Sequence, residues 1–448
     1  MKKAILLFAL ILSFSTLEAQ TNPVIINWLR NTTGITGRHY ASGNSTPIID
    51  AVQANVQTIQ YNTTDTYVAA TGIPAYITGP FLDANPSLAT AQNKIFKFTL
   101  NPTQNTGTPT ATTGGNIGVF INGVALFDYR DGVAWNNSTS ALCGGPGNPT
   151  CPGGMGASQA WNRDAIPAEM GGFDCNKAHP AGGNYHHHQN PSAFNLDLVI
   201  KSTICSTYPA DGLYVINTSQ HSPLIGFAYD GFPIYGAYGY ANTNGTGGIV
   251  RIKSSYQLRT NTTRTNGPTV GQVLGTQTFF NGYFREDYEY IAHPSDQSYL
   301  DEHNGRFCIT PEYPAGIYCY FATVDANHNS AYPYAVGPTF YGNKVVTTVT
   351  TVPGGTTTLS ASNFNLNSLD VVIYPNPAQD FIAIQSEMVT EDLEVILINE
   401  LGQIVKTSKI LQGSTLSIIE LDSIYNGIYF VKISNGKEVK THKVIINK

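Results

Sequence analysis

Two short runs indicate the fold: IFKFTL at residues 95–100 and IGVFINGVAL at residues 117–126. Both combine β-branched and aromatic residues, and both are bounded by Asn, Gly, Pro and Thr, which favour turns. Charged residues make up 12% of the chain, whereas glycine occurs 43 times and tyrosine 26 times. This composition favours strands and loops over surface helices. We therefore predict an all-β protein, with a β-rich central domain held by disulfides.

The first twenty residues, MKKAILLFALILSFSTLEAQ, have the features of a cleavable signal peptide. Two lysines precede an apolar run from Ala4 to Leu12, and the small residue Ala19 ends the segment. We expect residues 1–19 to be removed and the mature chain to be exported through the periplasm. The apolar run is too short to span a bilayer, and no other segment predicts a transmembrane helix. An uncleaved membrane anchor is the alternative.

The net charge argues against nucleic-acid binding, and the usual motifs of several enzyme classes are missing from the sequence. The chain has a formal net charge of −6, which makes nucleic acid an unfavourable partner. No G-x-S-x-G elbow, H-E-x-x-H helix or G-x-x-x-x-G-K-[ST] phosphate loop occurs in the sequence. We expect no organic cofactor, and whether the protein is an enzyme stays open.

All six cysteines lie in the exported part, where an oxidising compartment lets them pair. Two of the expected pairs close short segments rich in Pro and Gly, and the third follows by elimination. The expected pairs are Cys143 with Cys151, Cys308 with Cys319, and Cys175 with Cys205.

The densest chemical signal is the histidine run in GGNYHHHQNP at residues 182–191. On a strand, His186 and His188 share one face while His187 points away. Imidazoles on one face suit a transition metal such as Zn or Cu, whereas Ca and Mg prefer oxygen ligands. His179 could reach the pair across the intervening turn. Hydrogen-bonded structural histidines are the alternative interpretation.

The end of the chain has a different pattern. Residues 343–369, rich in Thr, Ser and Gly, are typical of a solvated tether. Beyond them, DFIAIQS at 380–386, EVILINELGQIV at 394–405 and GIYFVKIS at 427–434 alternate strictly and end in turns. Residues 370–448 are therefore predicted to form a small immunoglobulin-like β-sandwich.

The central segment carries a family resemblance. FDCNKAHPAGGNYHHHQNP at residues 173–191 resembles the YHYH domain family, whose motif Tyr-His-Tyr-His falls on residues 185–188, with His187 in place of the second tyrosine. The resemblance continues through residues 221–240 and 301–323 and covers about residues 95–342. It supplies a domain and no reaction. Residues 20–94 are expected to form an N-terminal β extension of unknown role.

Further residues in these matching segments are candidates for completing a site. His221 is a possible fourth metal ligand, and Asp230 is a weak candidate for a catalytic base, although a residue before Gly231 can equally shape a turn. The aromatic run at residues 229–240 could stack against sugar rings, but such residues more often fill a core. A glycan-binding or adhesion module with structural histidines is therefore the alternative function.

The tail resembles the C-terminal sorting domain of type IX secretion cargo in Bacteroidetes. The segments that carry this resemblance are VVIYPNPAQDFIAI, LINELGQIV and LDSIYNGIYFVKISNGKEVKTHKVIINK, in that order. It implies recognition by the type IX secretion machinery, passage across the outer membrane, removal of the tail, and release or attachment to surface polysaccharide. The protein is therefore expected to be secreted or to lie on the outer cell surface.

Overall fold

The computed structural model describes residues 22–448, apart from residues 83–87, 146, 155–158, 192–202, 210–217, 360–370, 387–388, 390 and 437–438. The chain divides into two units, one of residues up to Arg30 with Thr36–Thr358, and one of Asn31–Ile35 with Leu359–Lys448. Strands dominate both units, so the predicted all-β fold is confirmed. None of the helices among the described residues has the length and apolar character needed to cross a membrane. The predicted signal peptide lies outside the described residues.

The described part of the first unit contains two short α-helices, α1 (Pro23–Ile26) and α2 (Ala165–Glu169), and short 3-10 turns at Thr203–Ser206 and Arg285–Asp287. Its first strands are β1 (Thr36–Ala41), β2 (Asn44–Gln53), β3 (Val56–Tyr61), β4 (Asp65–Ala70), β5 (Ile77–Thr78), β6 (Lys94–Thr99), β7 (Asn116–Phe120), β8 (Ala125–Phe127), β9 (Arg130–Asn136), β10 (Ala141–Cys143), β11 (Asn162–Asp164), β12 (Ala178–Ala181) and β13 (Asn184–His187). Its later strands are β14 (Leu224–Ala228), β15 (Pro233–Tyr235), β16 (Tyr238–Tyr240), β17 (Ile249–Arg251), β18 (Tyr256–Leu258), β19 (Val273–Leu274), β20 (Gln277–Thr278), β21 (Tyr288–Tyr290), β22 (Gly305–Cys308), β23 (Ile317–Phe321), β24 (Thr347–Val349) and β25 (Thr357–Thr358).

Two large sheets form the core of this unit. The eight-stranded sheet has the order β12-β13-β8-β7-β14-β15-β23-β22, and the five-stranded sheet has the order β24-β6-β4-β3-β25. Trp28, Phe98 on β6 and Phe227 on β14 are buried and pack with ring centroids 5.1 to 5.9 Å apart. Because these rings come from both sheets, apolar burial between them fixes the eight-stranded sheet that carries the histidine run.

The five-stranded sheet differs from two expectations. Strands β24 and β25 pair with β6 and β3, so the prediction of a solvated tether is wrong for these residues of the 343–369 segment. Thr and Val are strong strand formers, and the backbone groups of β24 and β25 form hydrogen bonds with the outer strands of the sheet, β6 and β3. The sheet also joins β3 and β4, from the expected N-terminal extension, to β6. The extension is therefore part of the central β-structure. The remaining domain boundaries stay predictions.

Two of the three expected disulfides are present. Cys143 bonds to Cys151, and Cys175 bonds to Cys205. The prediction for the third pair is wrong, because Cys308 and Cys319 are buried free thiols. In the register of β22 and β23, Cys308 lies opposite Ile317, and Cys319 lies two positions further along. The two thiols are therefore diagonal neighbours, in hydrogen-bond contact but not bonded to each other.

The second unit is a β-sandwich of seven strands: β26 (Val371–Tyr374), β27 (Phe381–Ser386), β28 (Leu393–Asn399), β29 (Ile404–Ile410), β30 (Leu416–Glu420), β31 (Gly427–Ser434) and β32 (Val439–Ile446). A three-stranded sheet, β26-β27-β30, faces a four-stranded sheet, β29-β28-β31-β32. Their alternating inward residues, such as Ile382, Val395 and Val431, form one buried apolar cluster. The alternation read from the sequence thus gives the predicted sandwich.

Candidate metal centre

The hairpin of β12 and β13 positions the first two histidines of the site. Its turn consists of Gly182 and Gly183, whose φ angles are 56° and 82°. A two-residue hairpin turn with positive φ at both positions favours glycine. An added Cβ on Gly183 would also lie 2.1 Å from Thr90 Oγ1. This turn sets the register in which His179 lies directly opposite His186.

The alternation predicted for the histidine run is observed. His186 and His188 project to the same side, with their Nε2 atoms 3.2 Å apart. The coordinating atoms of these two residues and of His179 all lie within 4.8 Å of one another. All three residues are buried, with exposed fractions of 2% for His186, 4% for His188 and 7% for His179. We refer to His179, His186 and His188 as the histidine cluster.

A carboxylate completes the cluster, and the sequence analysis missed it. Glu169, the last residue of α2, has its Oε2 atom 3.3 Å from the Nε2 atoms of His179 and His188. This oxygen is buried and lies within ion-pair distance of both rings. Helix α2 begins with the side chain of Asp164 accepting a hydrogen bond from the Ile166 amide. That cap, and the burial of Ile166 in the core, hold the helix end against the histidines.

Backbone carbonyls fix the protonation of two of the rings. The Nδ1 atom of His186 lies 2.9 Å from the Asn184 carbonyl oxygen, and that of His188 lies 2.6 Å from the Asp128 carbonyl oxygen. Because a carbonyl only accepts, each Nδ1 carries the proton in the neutral ring, and each Nε2 presents a lone pair to the cluster. Metal-binding histidines are oriented in the same way by an outer acceptor.

Three of the separations among the four side chains match those around a tetrahedral ion, whereas the three histidine nitrogens as a group lie within 4.8 Å of one another. Zinc–ligand bonds of about 2.0–2.1 Å place neighbouring tetrahedral ligand atoms about 3.3–3.4 Å apart. The observed separations of 3.2 Å between His186 and His188, and of 3.3 Å from Glu169 to two histidines, lie at this value. Two converging lone pairs at 3.2 Å repel each other unless a proton or a cation lies between them.

The electrostatics of the site favour a neutral His186 beside an ionised Glu169. Burial lowers the pKa of His186 well below its usual range, and the nearby His188 and His179 lower it further. Burial alone would raise the pKa of Glu169, but hydrogen bonding to His179 and His188 and their charge hold it well below its usual range. The group therefore combines imidazole nitrogens with one negative charge, which is a donor set for a divalent transition metal.

Aromatic rings pack around the cluster. Phe127 stacks on His186 with a centroid distance of 3.8 Å, and Phe173 meets the ring of His179 edge-on at 5.0 Å. Phe173 also lies 6.2 Å from the ring of His188. These contacts leave the imidazoles little freedom to rotate, so the cluster is preorganised.

His187 points to the opposite face, as predicted, and belongs to a separate network. Its Nε2 atom lies 2.7 Å from the Tyr76 hydroxyl, and its Nδ1 atom lies 3.3 Å from the Lys177 carbonyl oxygen. In the same buried region, Asp174 accepts a hydrogen bond from the Tyr185 hydroxyl at 2.8 Å. Burial lowers the pKa of His187 to about 3, with the charge of Lys177 contributing. This network therefore keeps a neutral His187 and ties the hairpin to the N-terminal residues.

The structure does not bring His221 to the cluster. Its ring lies 5.1 Å from Tyr235 and 5.2 Å from Tyr240, and its Nδ1 atom is 2.8 Å from the carbonyl oxygen of Ser222. Among the described residues, the one group with metal-ligand spacing consists of His179, His186 and His188. Because burial lowers the pKa of His221 to about 4, the ring is neutral at physiological pH.

Asp230 also lies apart from the cluster. It is fully buried, and its carboxylate accepts hydrogen bonds from the Tyr320 hydroxyl at 2.6 Å and the Gly342 amide at 2.8 Å. Burial raises its pKa to about 6. In the neighbouring aromatic run, Phe232 and Tyr235 are buried, as expected of core residues. These contacts indicate that Asp230 stabilises the fold by accepting hydrogen bonds from Tyr320 and Gly342.

Two family models match the chain. One, described as YHYH protein, matches residues 95–332, and the other, described as secretion system C-terminal sorting domain, matches residues 372–447. No curated protein matches the chain. Among solved structures, dimeric latent PorU from Porphyromonas gingivalis is 19% identical over 17% of this chain and 9% of its own, with a TM-score of 0.15. That similarity is too small to inform the fold.

Proposed function

The chain belongs to the YHYH protein family, and we propose that its central domain binds one transition-metal ion, Zn or Cu, through the histidine cluster and Glu169. One observation carries the proposal. Three buried imidazoles lie within 4.8 Å of one another, and one carboxylate oxygen lies 3.3 Å from two of them. A set of three nitrogens and one oxygen at this spacing suits both metals.

The protein acts outside the cytoplasm. Its C-terminal sorting domain directs it through the type IX secretion system to the cell surface or the exterior. A location outside the cytoplasm is compatible with the two disulfides, which form in oxidising compartments. The bound metal would therefore be acquired during or after export.

Glu169 differs from the other three proposed ligands in its access to solvent. Its side chain is 21% exposed, against 9% for His179 and 4% for His188. A solvent-facing carboxylate can exchange with water or a small ligand while the histidines keep the ion. With all four ligands bound the ion would be structural, and with Glu169 displaced it would act as a Lewis acid or a redox centre.

Structural histidines in a non-catalytic surface module are the competing interpretation. In that case a hydrogen bond would hold the two Nε2 atoms together, with one extra proton shared between His186 and His188. Burial and neighbouring histidines lower the pKa of His186, which disfavours that proton near neutral pH. Recognition of polysaccharide stays a prediction from sequence.

Elemental analysis of the purified mature chain tests the proposal. We expect near-stoichiometric Zn or Cu after reconstitution and dialysis, and loss of the metal in the His186→Ala/His188→Ala double variant. Glu169→Gln keeps the side-chain shape but removes the charge, so it should weaken metal affinity without abolishing it.

A matched control separates the site from general histidine binding. His293→Ala removes a half-buried histidine that stacks on Tyr299 with a centroid distance of 3.7 Å and is not one of the cluster residues. It should leave metal content unchanged. Failure of the correctly folded protein to bind either metal, or equal metal content in the double variant, would contradict the proposal and favour the surface module.

A further inference from the structure

A row of tyrosines begins directly beside the histidine cluster. The Asp128 carbonyl that accepts from His188 belongs to the peptide bond joining Asp128 to Tyr129. The ring of Tyr129 lies 5.1 Å from that of Tyr332, and their hydroxyls are 3.2 Å apart. A hydrogen bond and one peptide unit thus connect a candidate metal ligand to a buried phenol.

The row continues to the protein surface. The ring of Tyr332 lies 5.4 Å from that of Tyr256, which in turn lies 5.6 Å from Tyr290. Tyr256 and Tyr290 are direct cross-strand partners on β18 and β21. Tyr290 is 37% exposed, whereas Tyr129 and Tyr332 are buried. We call Tyr129, Tyr332, Tyr256 and Tyr290 the tyrosine row.

The chemistry of these side chains differs from that of an ordinary apolar core. Burial raises the pKa of Tyr129 to about 12 and raises that of Tyr332 well above its usual range. Both phenols are therefore protonated at physiological pH. Phenylalanine would fill the same space without burying a hydroxyl group. Phenols are also the side chains, with indoles, that a strong oxidant converts to radicals by removing one electron and one proton.

From this arrangement we propose that the tyrosine row carries oxidising equivalents from a copper ion in the histidine cluster to Tyr290 at the surface when the centre reacts with a peroxide. The inference rests on the proposed metal site and goes beyond it by naming a redox role. Electron transfer slows steeply with distance, so rings 5.1 to 5.6 Å apart favour a series of short steps. Copper supplies the one-electron chemistry that zinc lacks.

The reaction balances with a peroxide as the oxidant. One hydrogen peroxide accepts two electrons and two protons and gives two water molecules. Two Tyr290 side chains, on two molecules, each lose one electron and one proton and become phenoxyl radicals. The exposed position of Tyr290 lets its proton pass to solvent. Coupling of two radicals forms one carbon–carbon bond, and the displaced ring protons return to the phenol oxygens as dityrosine.

The test compares the copper-loaded and zinc-loaded forms of residues 20–448, the chain with its C-terminal sorting domain still attached. After copper content has been measured, each form is treated with hydrogen peroxide, and modified tyrosines are located by peptide mass spectrometry and dityrosine fluorescence. We expect Tyr290 to be modified in the copper form and not in the zinc form. Tyr425, which is 85% exposed in the second unit, serves as the internal control and should be modified far less.

Tyr332→Phe interrupts the row in its middle and keeps the aromatic packing. It should reduce modification of Tyr290 several-fold at unchanged copper content. Equal modification of Tyr290 and Tyr425, or unchanged modification in Tyr332→Phe, would refute the row while leaving the metal site intact. Absence of bound copper in a protein that still binds zinc would refute the row alone, whereas absence of both metals would refute both proposals, so the two failures are distinguishable.

Discussion

The hydrogen bond between Tyr76 and His187 should stabilise the first unit by a measurable amount. The two residues are 1% and 0% exposed, and their polar atoms are 2.7 Å apart. Because His187 Nδ1 faces the Lys177 carbonyl, the Nε2 atom is the acceptor and the tyrosine hydroxyl donates. Tyr76→Phe leaves this buried acceptor without its partner. We expect a decrease of about 1–3 kcal/mol in the free energy of unfolding.

Urea unfolding of the chelator-treated protein measures this change. All three tryptophans of the chain, Trp28, Trp135 and Trp161, lie in the first unit, so tryptophan fluorescence reports this unit alone. Tyr425→Phe changes an exposed side chain in the second unit and should leave the transition unchanged.

A double-mutant cycle isolates the pair. His187→Leu removes the acceptor, and the combined variant removes donor and acceptor together. If the contact stabilises the fold as argued, the combined variant should lose less stability than the sum of the single variants, by about 1 kcal/mol or more. Strictly additive effects, or a Tyr76→Phe protein as stable as the parent, would refute the reasoning.

Three other predictions follow from the first unit. Burial raises the pKa of Asp164 from 3.8 to about 8. The folded protein therefore keeps this proton at pH values where the unfolded chain has lost it, and the free energy of unfolding decreases as pH rises from 3.8 to about 8. Asp164→Asn should flatten the decline in urea midpoint between pH 5 and 8. A chain that lacks residues 20–94 loses two strands of the five-stranded sheet, so it should be insoluble where the longer chain is soluble in the same expression trial. Gly183 has a φ of 82°, and a Cβ added there would collide with Thr90, so Gly183→Ala should lower both thermal stability and metal affinity. Gly182 has a φ of 56°, and a Cβ added there meets no neighbouring atom, so Gly182→Ala should lower both quantities by less.

Sequence periodicity predicted the parts of the protein whose geometry is local. The alternation of His186 and His188 follows from the two-residue period of a strand, and the reach of His179 follows from a two-residue turn. The second unit was predictable for the same reason, because strands such as β28 and β31 alternate between buried and more exposed residues. In these cases neighbouring positions along the chain decide which side chains meet.

The parts that sequence missed depend on distant pairing. Glu169 lies on a different element from the hairpin, and no spacing rule relates the end of a five-residue helix to a strand nine residues later. His221 was expected at the cluster because its residue type suits a ligand, but it lies just before β14, which β7 and β8 separate from β13 in the eight-stranded sheet. The third disulfide failed on register, since Cys308 and Cys319 are diagonal rather than opposite. Contacts between residues on different elements depend on the strand order and register of the whole sheet, which local sequence patterns do not determine.

The order in which the site assembles follows from its compactness along the chain. All four proposed ligands fall between Glu169 and His188, so bringing them together closes only a short loop at small entropic cost. The carbonyl that orients His188 lies 60 residues earlier, and Tyr76, which holds His187, lies 111 residues away. Contacts of such separation carry a larger loop-closure cost than those within the ligand segment. If the proposed site binds metal, the ligand segment would be able to take up an ion before these distant contacts form, and the contacts would then enclose that ion.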